Sequence, residues 1–382
     1  MRLFLGWSWG CVVVFLSLLS VINTILLLYQ VAKLHILAKY SIFFHYICIL
    51  YEDIIMDTLS QIRDLLSKDL SRYEDFIRLA FKHEEDFIAE MLDYLIEHRG
   101  KGIRPILALL MANIHSRTGA VSQRAYLVAM MVEMLHTASL VHDDIIDNAE
   151  MRHGADSVNA RYGSHSAVVI GDYILAKAFS SGMESGQFDL VNYITRTLKT
   201  LCEGELIQTN VSNSLDMTRD KYYDIIYRKT ASLLGTCCGA GALASGADHT
   251  AVAVARQIGD NLGMAFQIKD DLLDYAPSSQ TGKPTCADLK EHKITLPLLL
   301  VLEEATPEEQ NAIKDLVRTI SETGEGTEKI YALVERADAV HHSIEVMESY
   351  LNAARSMIKT YPESPYRDAM LSLCDYIGKR SF

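Results

Sequence analysis

Two short acidic sequences carry the clearest chemistry in the chain, DDIID at Asp143–Asp147 and DDLLD at Asp270–Asp274. On a helix, residues i and i+4 project from one face, one turn apart, so Asp143 and Asp147 can reach the same ion. Asp144 is rotated by roughly 100° and either contributes from the side or braces its neighbours. Asp270, Asp271 and Asp274 repeat the spacing. Carboxylates are hard oxygen ligands suited to Mg²⁺, a cation that keeps several waters and bridges to phosphates. One such sequence among 49 acidic residues reads as a solvated helix end. Here there are two, and each ends an apolar run, Met130–Val141 and Leu262–Ile268. Carboxylates on helices that otherwise want burial need metal or basic partners, so all six read as catalytic metal-binding residues.

Basic residues stand where a phosphate-handling site would need them. Lys101 and Arg104 lie in GKGIRP, beside an expected helix N-terminus whose free N–H groups favour anions. Arg152 and His153 follow the first cluster, Lys229 and Thr230 lie in YRKTASLL, and Lys283 and Lys293 follow the second cluster. Singly, each is an ordinary surface charge. Grouped around two acidic sites, they suit a polyanionic substrate.

The elements that must position these residues read as helices. Hydrophobic residues make up 49% of the 382 and charged residues 22%, with only 7 prolines, which favours an all-α body. The patterning predicts two helices over 57–99, then helices over 106–114, 122–147, 166–183, 190–211, 219–245, 250–274 and 295–305, with two or three more beyond. No repeat of 20 to 50 residues occurs, and residues 56–382 read as a single-domain bundle. The net charge of −13 excludes a general nucleic-acid binder. Seven cysteines without a CxxC pair suggest free thiols in a reducing, cytoplasmic setting.

Residues 1–55 differ in composition. Gly10–Tyr29 carries no charge and is long enough to cross a membrane as a helix, with Trp7 and Trp9 placed as interfacial anchors. The extension is either a membrane anchor or sequence upstream of a start at Met56.

The chain resembles the trans-type polyprenyl diphosphate synthases over nearly all of 56–382. The matching pieces are GKGIRP, EMLHTASLVHDDIIDNAEMRHG, GDYILAKAF, the EGELIQ and YRKTASLL pair, and FQIKDDLLDYAPSSQTGKPTCADLKEHKITLPLLL. The resemblance implies an all-α bundle around a deep central cavity, built as a homodimer. It implies three Mg²⁺ held by Asp143, Asp147, Asp270 and their neighbours on the diphosphate of an allylic substrate. Arg152, Lys229, Thr230, Gln267, Lys283 and Lys293 match positions that contact that diphosphate. Lys101, Arg104 and His136 match the isopentenyl diphosphate site. Where the family has a second consecutive arginine, this chain has His153. A histidine there carries charge only when protonated.

The chemistry implied is ionisation of the allylic C–O bond, attack by the isopentenyl double bond and loss of a proton. Positioning and electrostatics carry it, without a general base. Met131, Leu135 and Ala138 share one stripe of the helix before DDIID, and Ala138 and Ser139 are small. Bulky aromatics at those positions close the cavity early in this family, so small residues point to a long product. A class I terpene cyclase shares the fold and one DDxxD, but lacks a second DDxxD and an isopentenyl diphosphate site. A shorter-chain geranylgeranyl or farnesyl diphosphate synthase would carry the same two clusters. A non-catalytic regulatory subunit would not need both sets of carboxylates intact.

Overall fold

The structure is a computed structural model that describes residues 58–275 and 287–379. All of them lie in the compact unit Thr58–Phe382. The N-terminal extension, its Gly10–Tyr29 segment and Lys283 lie outside the described residues.

The architecture is all-α. A first helix over 58–65 leads into α1 (Ser67–Ala80), α2 (Asp86–Glu97), α3 (Ile103–Ile114) and α4 (Gln123–Ile146). The long helices α5 (Ser164–Glu184) and α6 (Phe188–Ser214) follow, then α7 (Arg219–Ile226), α8 (Ser232–Ala244) and α9 (His249–Leu273). The chain ends with α10 (Leu296–Glu304), α11 (Pro307–Thr323), α12 (Thr327–Arg336), α13 (Ala339–Ile358) and α14 (Pro365–Lys379).

α4 is the axis of the bundle. Met131, Val132, Leu135 and Ala138 are fully buried, because α1, α3, α5 and α8 surround it. Among the described residues it is the one helix long and apolar enough to cross a membrane, but 78% of its most apolar stretch is buried inside the protein. That is the position of a core helix. α8 and α9 approach through glycines. A Cβ on Gly259 would lie 2.4 Å from the Leu234 carbonyl oxygen, and one on Gly263 would lie 2.4 Å from the Ala231 Cα. Larger residues there would push α9, and the second acidic cluster at its end, out of place.

The structure departs from the sequence expectation at two places that matter for the site. The stretch over 219–245 is two α-helices joined by a π turn, Tyr227–Ala231. The segment after the first cluster is a small hairpin, Met151–Arg152 paired with Ala155–Asp156. His153 (φ 51°) and Gly154 (φ 82°) form its two-residue turn, the left-handed pair that a tight hairpin requires.

Candidate active site

The ends of α4 and α9 bring the two clusters to one side of the bundle. Asp147 caps α4 and Asp274 caps α9. Lys293, which follows the second cluster in sequence, reaches within 3.9 Å of Asp147 in the first and also pairs with Glu291.

The six carboxylates are not equivalent. Asp144 is buried and accepts from Arg152 Nε at 2.8 Å and from its Nη2. It therefore braces a basic side chain, the second of the two roles open to it. Asp271 is also buried, and accepts from the Tyr222 hydroxyl at 2.6 Å and from Gln267 Nε2 at 2.9 Å. Asp144 and Asp271 thus carry side-chain donors from the protein, while Asp274 accepts from the Asp288 backbone N–H at 3.2 Å and Asp147 pairs with Lys293. Asp143, Asp147, Asp270 and Asp274 are the i and i+4 members.

A cavity of about 780 Å³ opens beside the clusters. Lys101, Arg104, His136, Arg152 and His153 line one part of it, and Thr230, Gln267 and Asp270 another. His136 is held neutral, its pKa pushed well below the usual value by burial and then by Arg104, His153 and Arg152. His153 donates from Nδ1 to the His98 carbonyl at 3.1 Å, since a carbonyl can only accept. Its Nε2 then becomes a donor only in the protonated ring. Lys229 pairs with Glu205 at 2.5 Å, across the Gly204 backbone that lets the π turn approach α6.

The chain-length stripe lies elsewhere on α4. His136, Thr137, Leu140 and Val141 face the cavity, whereas Met131, Leu135, Ala138 and Ser139 do not line it. Met131 packs at Gly182 of α5, and Ala138 shares that stripe seven positions on. Ser139 turns its hydroxyl back to the His136 carbonyl at 2.8 Å.

Several site residues escaped sequence reading. Glu133 lines the cavity beside Arg104, and both are driven toward their neutral forms by burial, which outweighs their mutual attraction. A charged residue inside the Met130–Val141 run was the available signal. Asp288 is pushed well up by burial and by Asp271 and Asp274. Tyr376, from α14, closes the cavity near Lys101.

The donor set fits Mg²⁺. Burial lifts the Asp143 carboxyl to about 6; Lys229 and Arg152 pull it down, while Glu205 and Asp147 push it up. Such a carboxylate is short of positive charge. Among the described residues no group of three or more His, Cys, Asp or Glu side chains is placed to hold an ion by itself. A cation held here would draw the rest of its coordination from water and substrate phosphate, as Mg²⁺ does.

A family model described as polyprenyl synthetase matches residues 85–334. The chain belongs to that family. As a polyprenyl synthetase it is an enzyme that transfers prenyl groups. A short chain isoprenyl diphosphate synthase of Methanothermobacter thermautotrophicus is 32% identical over 84% of this chain and 99% of its own. Component 2 of heptaprenyl diphosphate synthase from Geobacillus stearothermophilus is 33% identical over 85% of this chain and 99% of its own. The crystal structure of a decaprenyl diphosphate synthase from Rhodobacter capsulatus superposes with a TM-score of 0.78 at 29% identity, covering 85% of this chain and 99% of that one.

Proposed function

We propose that the chain condenses isopentenyl diphosphate with an allylic diphosphate to build a long-chain polyprenyl diphosphate. The observation that carries this reading is the single cavity with a basic part, Lys101, Arg104 and Arg152, and an acidic one at Asp270. Lys101 and Arg104 receive isopentenyl diphosphate. The allylic diphosphate lies between the clusters, near Arg152, Lys229, Thr230, Gln267 and Lys293. When bound, Mg²⁺ supplies Lewis-acid neutralisation of the departing diphosphate and a template for both substrates; three ions is the count the resemblance supports. Asp143, Asp147, Asp270 and Asp274 would hold it. Lys101 and Arg104 hold the isopentenyl diphosphate so that its double bond faces the allylic carbon, and Arg152, fixed by Asp144, contacts the allylic diphosphate. The proton lost from the isopentenyl unit leaves with the diphosphate.

A terpene cyclase has no use for the basic part of the cavity, which favours condensation. The test is to incubate the chain with labelled isopentenyl diphosphate, several allylic primers and Mg²⁺, and to size the products by chromatography. A ladder ending in long polyprenyl diphosphates is expected. Hydrocarbon or alcohol released from the allylic diphosphate alone would overturn the reading.

The relatives make products from short chains to decaprenyl, so length rests on this chain's own stripe. Ala138 lies ~7 Å along α4 from Asp143 at ~1.5 Å per residue, buried outside the cavity described above, and its small side chain would let a growing hydrocarbon part α4 from its neighbour. Ala138→Phe is expected to move the product distribution several isoprene units shorter. An unchanged ladder would remove Ala138 from that role.

His153 lines the basic part of the cavity. His153→Ala should raise the KM for isopentenyl diphosphate severalfold, and an unchanged KM would remove His153 from that site.

The assembly we propose is a homodimer through the outer face of α5 and α6. Val168, Val169, Met183, Phe188 and Leu206 are exposed there, and an apolar stripe of this kind marks an interaction surface. The catalytic body belongs in a reducing, cytoplasmic compartment, which the unpaired Cys202, Cys237, Cys238 and Cys374 support. Residues 1–55 would form a separate extension, a membrane anchor if present in the mature chain.

A further inference from the structure

We propose that Tyr222 is a positioning residue for the allylic diphosphate, acting through Asp271 to fix which way the Gln267 amide faces. This rests on the function proposed above.

Four side chains from three elements form one directional series of hydrogen bonds. The Tyr222 hydroxyl, on α7, donates to Asp271 Oδ2 at 2.6 Å. Gln267 Nε2, one turn before Asp271 on α9, donates to Asp271 Oδ1 at 2.9 Å. The Thr230 hydroxyl, on the π turn, donates to Gln267 Oε1 at 2.7 Å. An amide can sit either way round, and neighbouring donors and acceptors decide which. Here the nitrogen of Gln267 faces Asp271 Oδ1 and its oxygen faces the Thr230 hydroxyl. The carboxylate takes one of the two amide hydrogens. The other is left to serve an anionic oxygen in the cavity that Gln267 lines beside Asp270.

Tyr222 matters because it holds the carboxylate. Asp271 and Tyr222 are both buried, so losing the hydroxyl removes one of the two side-chain donors that hold the carboxylate. Without that donor the Asp271 carboxylate can rotate, the Gln267 amide loses its anchor at Oδ1, and its second hydrogen is no longer aimed into the cavity. The π turn has a part in this geometry, since it sets the Thr230 hydroxyl against α9.

The experiment measures steady-state kinetics of the full chain with farnesyl diphosphate, isopentenyl diphosphate and Mg²⁺. Tyr222→Phe keeps the buried ring and removes only the hydroxyl. It should raise the KM for farnesyl diphosphate about tenfold, one missing hydrogen bond to a charged group, and leave kcat within about twofold. The KM for isopentenyl diphosphate and the Mg²⁺ concentration for half-maximal rate should stay unchanged. Gln267→Ala should show the same pattern, and the double variant should be no worse than Gln267→Ala alone. Additive losses, an unmoved farnesyl diphosphate KM, or a shift in Mg²⁺ dependence would each overturn the proposal. If Tyr222→Phe melts below the assay temperature, the cycle is run with Thr230→Val in its place. That variant should then be non-additive with Gln267→Ala, Thr230→Ser should restore the wild-type KM, and failure of either overturns the series. A wild-type chain that made no product would overturn the underlying function as well, whereas an active wild type with additive variants would overturn this inference alone.

Discussion

Asp143→Asn should lower kcat by about 10³-fold or more while leaving the metal-free protein at least as stable as wild type at neutral pH. The activity loss follows from the role of Asp143 as a ligand: metal-ion stabilisation of developing charge is worth several kcal/mol, and each ~1.4 kcal/mol is tenfold in rate. The stability effect has the opposite sign. Burial, opposed by Lys229 and Arg152 and reinforced by Glu205 and Asp147, holds the Asp143 carboxyl at about 6, above its ordinary value of 3.8. The folded state therefore binds this proton more tightly than the unfolded chain does. Stability associated with the group is present at low pH and is lost as pH rises from about 4 through about 6. Asparagine cannot ionise, so the variant should lack that part of the loss. Thermal melts in EDTA at pH 5 and pH 7.5 would show it: wild type should fall relative to the variant at the higher pH. Mg²⁺ should then raise the wild-type melting temperature at pH 7.5 and do little for the variant. An Asp143→Asn chain with near wild-type turnover would remove the metal role.

That opposition between function and stability explains why the clusters were so legible in the sequence. Carboxylates at i, i+1 and i+4 on the ends of apolar helices make no sense as packing, and they occur twice. The basic residues were legible for a related reason, since they flank the clusters or open a helix. What the sequence could not show was the division of labour inside each cluster. Whether Asp144 faces a cation or Arg152 depends on the hairpin at 151–156, which is only two residues per strand and offered no periodicity to read. The local signal was the dipeptide His153-Gly154, the two left-handed residues of its turn. Asp271 likewise depends on Tyr222, 49 positions away and brought close by the meeting of α7 and α9. The π turn was hidden because 227–231, YRKTA, holds no proline or glycine to break a helix. One extra residue in the turn is a matter of packing against Gly204 and α9, not of local preference.

Glu133 marks the other limit, a charge that the surrounding apolar run made easy to pass over, and it leads to the second large expected effect. Arg104→Ala should raise the KM for isopentenyl diphosphate by about 10- to 100-fold, because a guanidinium bonded to phosphate contributes about 1.5–3 kcal/mol. The same change strips Glu133 of the positive charge that offsets it most. Glu133 is 5% exposed and its Oε2 has no hydrogen-bond partner. Leaving a buried charge uncompensated costs about 3–5 kcal/mol; here about 1–3 kcal/mol is expected, because Glu133 lines the cavity and Arg99 still offsets its charge. The carboxyl of Glu133 is already raised by burial, so it can also take a proton. Adding Glu133→Gln to Arg104→Ala should therefore restore most of the lost stability and none of the binding. Denaturant melts read the first and the isopentenyl diphosphate KM reads the second. If the double variant recovered both, Arg104 would act only as a counter-ion for Glu133 and not as a ligand for the diphosphate. If it recovered neither, the two residues would not be a pair.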